Sequence, residues 1–165
     1  MSRLDERTVH ISTSTYLSVA RNGKFFELRT ARDMLEKARR EHQRLSEHFD
    51  GDNLFNFFIT AYHVSDYIRN AHIVPQVVLE TFLGDQDIRD CRDICDKGKH
   101  LTLTKRANPR TGIWRGCFNG APLNTLSLNG GSKWILHTGD RDVDVVQLAD
   151  RVLSKWEAFF STNGL

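Results

Sequence analysis

Long apolar runs are missing from this chain: nothing approaches the roughly 18 consecutive apolar residues of a membrane span. The opening stretch MSRLDERTVH has no apolar core, so no secretory leader is expected. Cysteine is scarce. Cys91, Cys95 and Cys117 are an odd number without zinc-type spacing, which argues against a disulfide framework and makes a reducing cytoplasm the simplest setting. HExxH, HxxxH, Walker-like and RNP-like patterns are absent, and no metal or cofactor is expected. Repeats, low-complexity tracts and linkers are lacking too, and 165 residues is one ordinary domain with room for a real core.

Negative charge is missing from one long stretch. Between Lys97 and Gly139 there is no Asp or Glu, while Lys97, Lys99, Lys105, Arg106, Arg110, Arg115 and Lys133 make the stretch +7. The net charge of the whole chain is only +2, so the remainder is −5. A block of one sign suits an anionic partner such as RNA. It equally suits a solvated sheet face whose lysines discourage edge pairing.

What is present is helical periodicity. Asn22-Gly23 signals a hairpin near the N-terminus, because both positions tolerate positive φ. Thr30 and Asp33 resemble a capping box, and Leu35, Ala38, His42, Leu45 and Phe49 repeat at helical steps over about 31–48. His42 within that stripe reads as a satisfied histidine at the core edge. Asp50-Gly51-Asp52 ends this helix and caps the next. The central helix, Asp52 to Asn70, is apolar almost all round. Its polar residues Asn56, Thr60, His63, Tyr67 and Asn70 form one stripe, with Asp66 on the adjoining edge. Pro75 opens a third helix and Gly84 closes it. Asp85 caps a fourth, with Ile88, Cys91 and Cys95 inward and Gly98 as its expected stop. The period then changes to two: strands are expected at Leu101–Thr104, Ile113–Phe118, Leu123–Leu128 and Lys133–His137. Asp140 or Asp142 is expected to cap the last helix, whose apolar face runs from Val145 to Phe160. The fold class is therefore mainly α: a bundle of four to five helices over 30–100 and 140–162, with a small antiparallel β-meander at 101–138 inserted before the C-terminal helix.

Two constellations carry the chemistry. His63 and Asp66 on the central helix would serve as a carboxylate-oriented base, as two metal ligands with His100 as a third if the helices touch, or, more simply than a metal site, as a buried polar network that fixes helix register. Arg92 and His100, flanked by Asp96 and Lys99, combine a proton carrier with a cation for phosphate charge, which is enough for RNA cleavage without a metal. The plainer account is an Arg92–Asp96 pair and a histidine at a helix end. Lys97, Lys99, Lys105, Arg106, Arg110 and Arg115 are the candidate nucleic-acid contacts, with Trp114, Phe118 and Trp134 as stacking surfaces or as the core of the meander.

The run Ile88-Arg89-Asp90-Cys91-Arg92-Asp93 through Lys99-His100 resembles the HEPN superfamily, helical-bundle proteins of bacterial defence and toxin systems. Their motif is an Arg, four to six residues, then a His near a helix end; here seven residues intervene, and Asp93 stands where a residue such as Asn is frequent. The resemblance implies a metal-independent endoribonuclease acting as a homodimer, with Arg92 and His100 at the site. Asn56–Ile68 and Cys91–His100 also resemble small bacterial proteins of no established activity. The alternative is a non-catalytic module that binds protein or nucleic acid.

Overall fold

The computed structural model describes residues 26–104, 107–114, 133–138 and 141–165. Within them the chain forms five helices and a small antiparallel sheet that precedes the last helix. The expected hairpin at Asn22-Gly23 and the expected strand at 123–128 lie outside the described residues, as do Lys105, Arg106, Arg115 and Phe118.

Helix α1 spans Ala31–Glu47. Its start is the full capping box: Asp33 N–H donates to Thr30 Oγ1 at 3.1 Å, and Thr30 N–H donates back to Asp33 Oδ2 at 2.8 Å. Helix α2 spans Gly51–Ala71, with the Asp50 carboxylate accepting from Asn53 N–H at 2.7 Å. Helix α3 is Gln76–Leu83, with Pro75 at its N-cap. Gly84 follows it with φ −74°, so that residue is an ordinary right-handed C-cap and its glycine freedom is unused. Helix α4, Gln86–His100, is capped by Asp85, which accepts from the amides of Asp87 and Ile88.

α4 does not stop at Gly98. It runs two residues further and ends on Leu101, whose φ is +60°. The glycine serves packing instead: a Cβ at position 98 would lie 2.2 Å from Cε2 of Phe55. The bare backbone lets α4 press against the Phe55 ring of α2, and that contact outweighs a glycine's weak helix propensity.

The sheet also departs from the alternation in the sequence. Strands β1 (Arg110–Trp114), β2 (Lys133–His137) and β3 (Asp142–Asp144) pair in the order β1-β2-β3. Leu101–Thr104 is not a strand, despite its Leu-Thr-Leu-Thr pattern: Leu101 caps the end of α4 and is 80% exposed. The last helix, α5 (Val145–Asn163), begins later than the Asp140 or Asp142 cap would place it. Asp144 is the cap, because Val143 is first drawn into the core as the inward residue of β3.

The core sits between α1, α2, α4 and α5. Trp156, Phe57, Phe58, Leu148 and Leu136 are fully buried in it. Trp156 meets Phe82 at a tilt and Phe159 edge-on, so α5 reaches across to α3. One wall of the sheet joins this core: Leu136 and Val143 are buried, and Trp134 packs edge-on to Phe49 at 5.2 Å. Trp134 is thus committed to the joint between sheet and bundle.

A second joint is electrostatic. Asp85, Asp87 and Asp90 at the start of α4 face Arg141 from the β2–β3 turn and Arg151 and Lys155 from α5. Asp90 is 1% exposed and bonded by Arg141 and by Gln86. Asp87 accepts from Arg151 Nε at 3.2 Å. Burial alone would raise the Asp87 carboxyl, but hydrogen bonds from Arg151 and Lys155 and their charges overcome it and hold the group at about 2. Three carboxylates meet three cations, so the half-buried cluster carries no net charge.

Candidate functional site

The polar residues of α4 divide between two faces, and the division decides which candidates meet. Arg92 and Lys99 are seven positions apart and share the face turned to α2. Lys97 and His100, three apart, share another face, from which Lys97 reaches the Pro109 carbonyl. Because the helix continues to His100, Arg92 and His100 are separated by about 12 Å along the axis and about 80° around it.

On the α2 side, His63 is held at both ring nitrogens. Nδ1 lies 2.7 Å from the Ile59 carbonyl and Nε2 lies 2.8 Å from Lys99 Nζ. A carbonyl oxygen only accepts, so Nδ1 carries the proton and Nε2 accepts from the ammonium. Asp66 Oδ2 is 3.9 Å from Nε2, and Asp66 Oδ1 takes Arg69 Nη1 at 3.1 Å. Arg92 bonds Asp93 Oδ1 through Nε and Nη2, both at 3.1 Å. Tyr62 marks the centre of the cluster: burial pushes its phenol up, and the charges of Arg92, Asp96, Asp66 and Arg69 all reach it. His63, Asp66 and Arg92, half-buried, and the exposed Lys99 therefore form one polar ridge. In it His63 positions the Lys99 ammonium, since neither of its ring nitrogens is left for a substrate.

Farther along the polar stripe, Thr60 is buried and accepts from Lys37 Nζ at 2.8 Å, while the same ammonium bonds the buried Glu41. Burial of Glu41 raises its carboxyl, yet hydrogen bonds from Lys37 and Arg44 win and leave it below the usual range. The stripe thus splits into an internal part that joins α1 to α2 and an outer part that meets α4. His42 is satisfied at the core edge, 2.7 Å from Asp150 and edge-on to Phe57.

On the sheet side, Lys97 Nζ donates to the Pro109 carbonyl at 2.5 Å. This ties the start of β1 to the last turn of α4. It also means that Lys97 is a strut as much as a free cation. His100 is exposed one turn on, and among the described residues no side chain pairs with its ring. Arg110 is exposed as well and lies opposite His137 in the β1–β2 register. His137 Nδ1 is 2.7 Å from Asp142 Oδ1, its neighbour across β2 and β3.

The sequence reading missed that last pair, because Asp142 read as a helix cap; the signal was an Asp five residues after a His across a short turn. It missed the Asp87 cluster as well, whose partners lie 54 to 64 residues away for Arg141 and Arg151. Cys91 and Cys95 are buried free thiols. Burial pushes both up, Cys91 well up, and Cys91 Sγ donates to the Phe58 carbonyl, so neither is placed as a nucleophile. Among the described residues no group of three His, Cys, Asp or Glu side chains is placed to hold a metal ion, and no helix is long and apolar enough to cross a membrane. No protein-family model matches this chain, and no curated protein and no solved structure does either.

Proposed function

We propose that this protein binds single-stranded RNA at the C-terminal end of α4 and cleaves it without a metal, as the HEPN-like run from Ile88 to His100 implies. The observation that carries the reading is the Lys97–Pro109 bond. It ties the last turn of α4, which carries the exposed His100, to the residue before the exposed Arg110, inside a stretch whose sequence holds no carboxylate from Lys97 to Gly139. His100 moves a proton there, and Arg110 takes the phosphate charge. Lys99, held by His63 and next to His100 in the chain, adds an exposed cation to this end of α4.

The test is incubation of the purified protein with single-stranded RNA in EDTA, beside a His100→Ala variant. Cleavage by the wild type that falls in the variant supports the reading. Equal cleavage by both, or none by the wild type, ends it.

One observation favours a second reading. His63, Arg92, Lys97 and Lys99 all hold partners within the chain, as they would in a module that binds an anionic or protein partner without catalysis. RNA retention with no cleavage in the same assay selects that reading.

A further inference from the structure

The geometry points to His137, aligned by Asp142 and set beside Arg110, as the general base of the proposed RNA cleavage. This inference rests on the RNA-acting reading and assigns it a catalytic group on the sheet.

Three features distinguish this imidazole from the others described. The first is its orientation. Asp142 Oδ1 lies 2.7 Å from Nδ1, and a carboxylate there fixes the Nδ1–H tautomer and leaves the Nε2 lone pair as the acceptor. His63 has Nε2 occupied by Lys99, and His42 presents Nε2 to Asp150 with its ring edge-on to Phe57. The second feature is the seat of the ring. The ring reaches over β1 at Gly112, where an added Cβ would come within 3.0 Å of Nε2. Glycine at this position lets the ring lie close against the strand, with 27% of the His137 side chain still in water. The third is the cation. Arg110 is the direct cross-strand partner of His137, so the two side chains leave the same face of the sheet about 5 Å apart at Cβ. That face also holds Lys133, which Asp144 Oδ2 approaches at 3.4 Å, whereas Trp134 and Leu136 turn to the core.

The junction supplies the remaining group. Pro109 precedes Arg110 and is tied to Lys97, and His100 follows Lys97 by one turn on the same face of α4. The step balances without an outside reagent. His137 Nε2 takes the proton of a ribose 2′-hydroxyl, and the 2′-oxygen forms a bond to the adjacent phosphorus. The bond from phosphorus to the 5′-oxygen breaks, and that oxygen takes a proton from the protonated His100. Arg110 bonds the non-bridging oxygens while charge builds on them. The products are a 2′,3′-cyclic phosphate and a 5′-hydroxyl. Exchange of protons with water resets the two imidazoles.

The experiment uses the full chain, EDTA and a 5′-labelled single-stranded RNA of mixed sequence. His137→Ala is expected to lower the cleavage rate at least about 100-fold, the usual scale for a lost general base. Binding of an all-2′-deoxy version of the same strand should stay within about threefold of wild type, since a lone hydrogen-bonding ring adds little to phosphate affinity. Added imidazole should restore part of the His137→Ala rate, which a merely structural histidine would not allow. Asp142→Asn, which keeps the side-chain shape, should lose rate without losing binding. Wild-type cleavage that persists in His137→Ala overturns the dyad and leaves the RNA-acting reading standing. Absence of cleavage by the wild type overturns both.

Discussion

Asp87→Asn should make the stability of this protein less dependent on acid, and the size of the effect follows from the cluster around it. The Asp87 carboxyl sits at about 2 in the fold against an ordinary 3.8. At about 1.4 kcal/mol for each tenfold change in proton affinity, that difference is worth about 2.4 kcal/mol. The side chains of Arg141, Arg151 and Lys155 keep 36%, 41% and 34% of their surface in water, so screening brings the figure to about 1–2 kcal/mol. The sign follows from the lowered value: the folded state binds the proton less readily than the unfolded chain. The stabilisation is complete above the unfolded value near 4, fades as pH falls through that value towards 2, and is gone below 2. Urea unfolding of wild type and Asp87→Asn between pH 7 and pH 2 isolates this group, because Asp33 and Glu41, also lowered, titrate in both proteins. The wild type should lead by about 1–2 kcal/mol at pH 7, and the lead should shrink below pH 4. A difference that stays constant across the range would refute the reasoning.

Two further outcomes are expected. Gly98→Ala sets a helix-propensity gain of about 1 kcal/mol against a Cβ placed 2.2 Å from the Phe55 ring. Overpacking typically costs about 1–3 kcal/mol, so the melting temperature should fall, and a rise would show that Phe55 moves aside freely. Lys97→Met removes the bond to the Pro109 carbonyl while keeping the stem; amide exchange in residues 110–114 should quicken while that of α5 is unchanged, and unaltered exchange in β1 would remove the strut from the account.

Most of the helical frame was legible because its signals are local. Thr30 with Asp33, Asp50 and Asp85 are caps whose partners lie two or three residues away, and the 3.6-residue stripes of α1 and α5 span few enough residues to be read directly. Errors arose where a distant contact outweighs a local cue. Gly98 signals a helix end, but Phe55, 43 positions earlier, needs its bare backbone. Asp142 looks like a cap, but Val143 is claimed by the core, which moves the helix start to Asp144. Leu101–Thr104 alternates as a strand should, yet no strand among the described residues pairs with it. The site shows the same limit. The residue types at Arg92, Lys99 and His100 are visible in sequence, but their division between two faces depends on α4 continuing past Gly98. His63 was recognisable as a histidine in a polar stripe; that it holds Lys99 became apparent only once α2 and α4 were placed together.

The central claim is that the end of α4 and the start of β1 form a surface for RNA, and the salt dependence of binding tests it most directly. Affinity for a single-stranded RNA should fall steeply between about 50 and 200 mM salt, with a log–log slope of about −0.7 for each phosphate neutralised. Arg110→Ala should make that slope shallower by about 0.7, as one phosphate contact is lost. An affinity indifferent to salt, or a slope that Arg110→Ala leaves unchanged, would contradict the account.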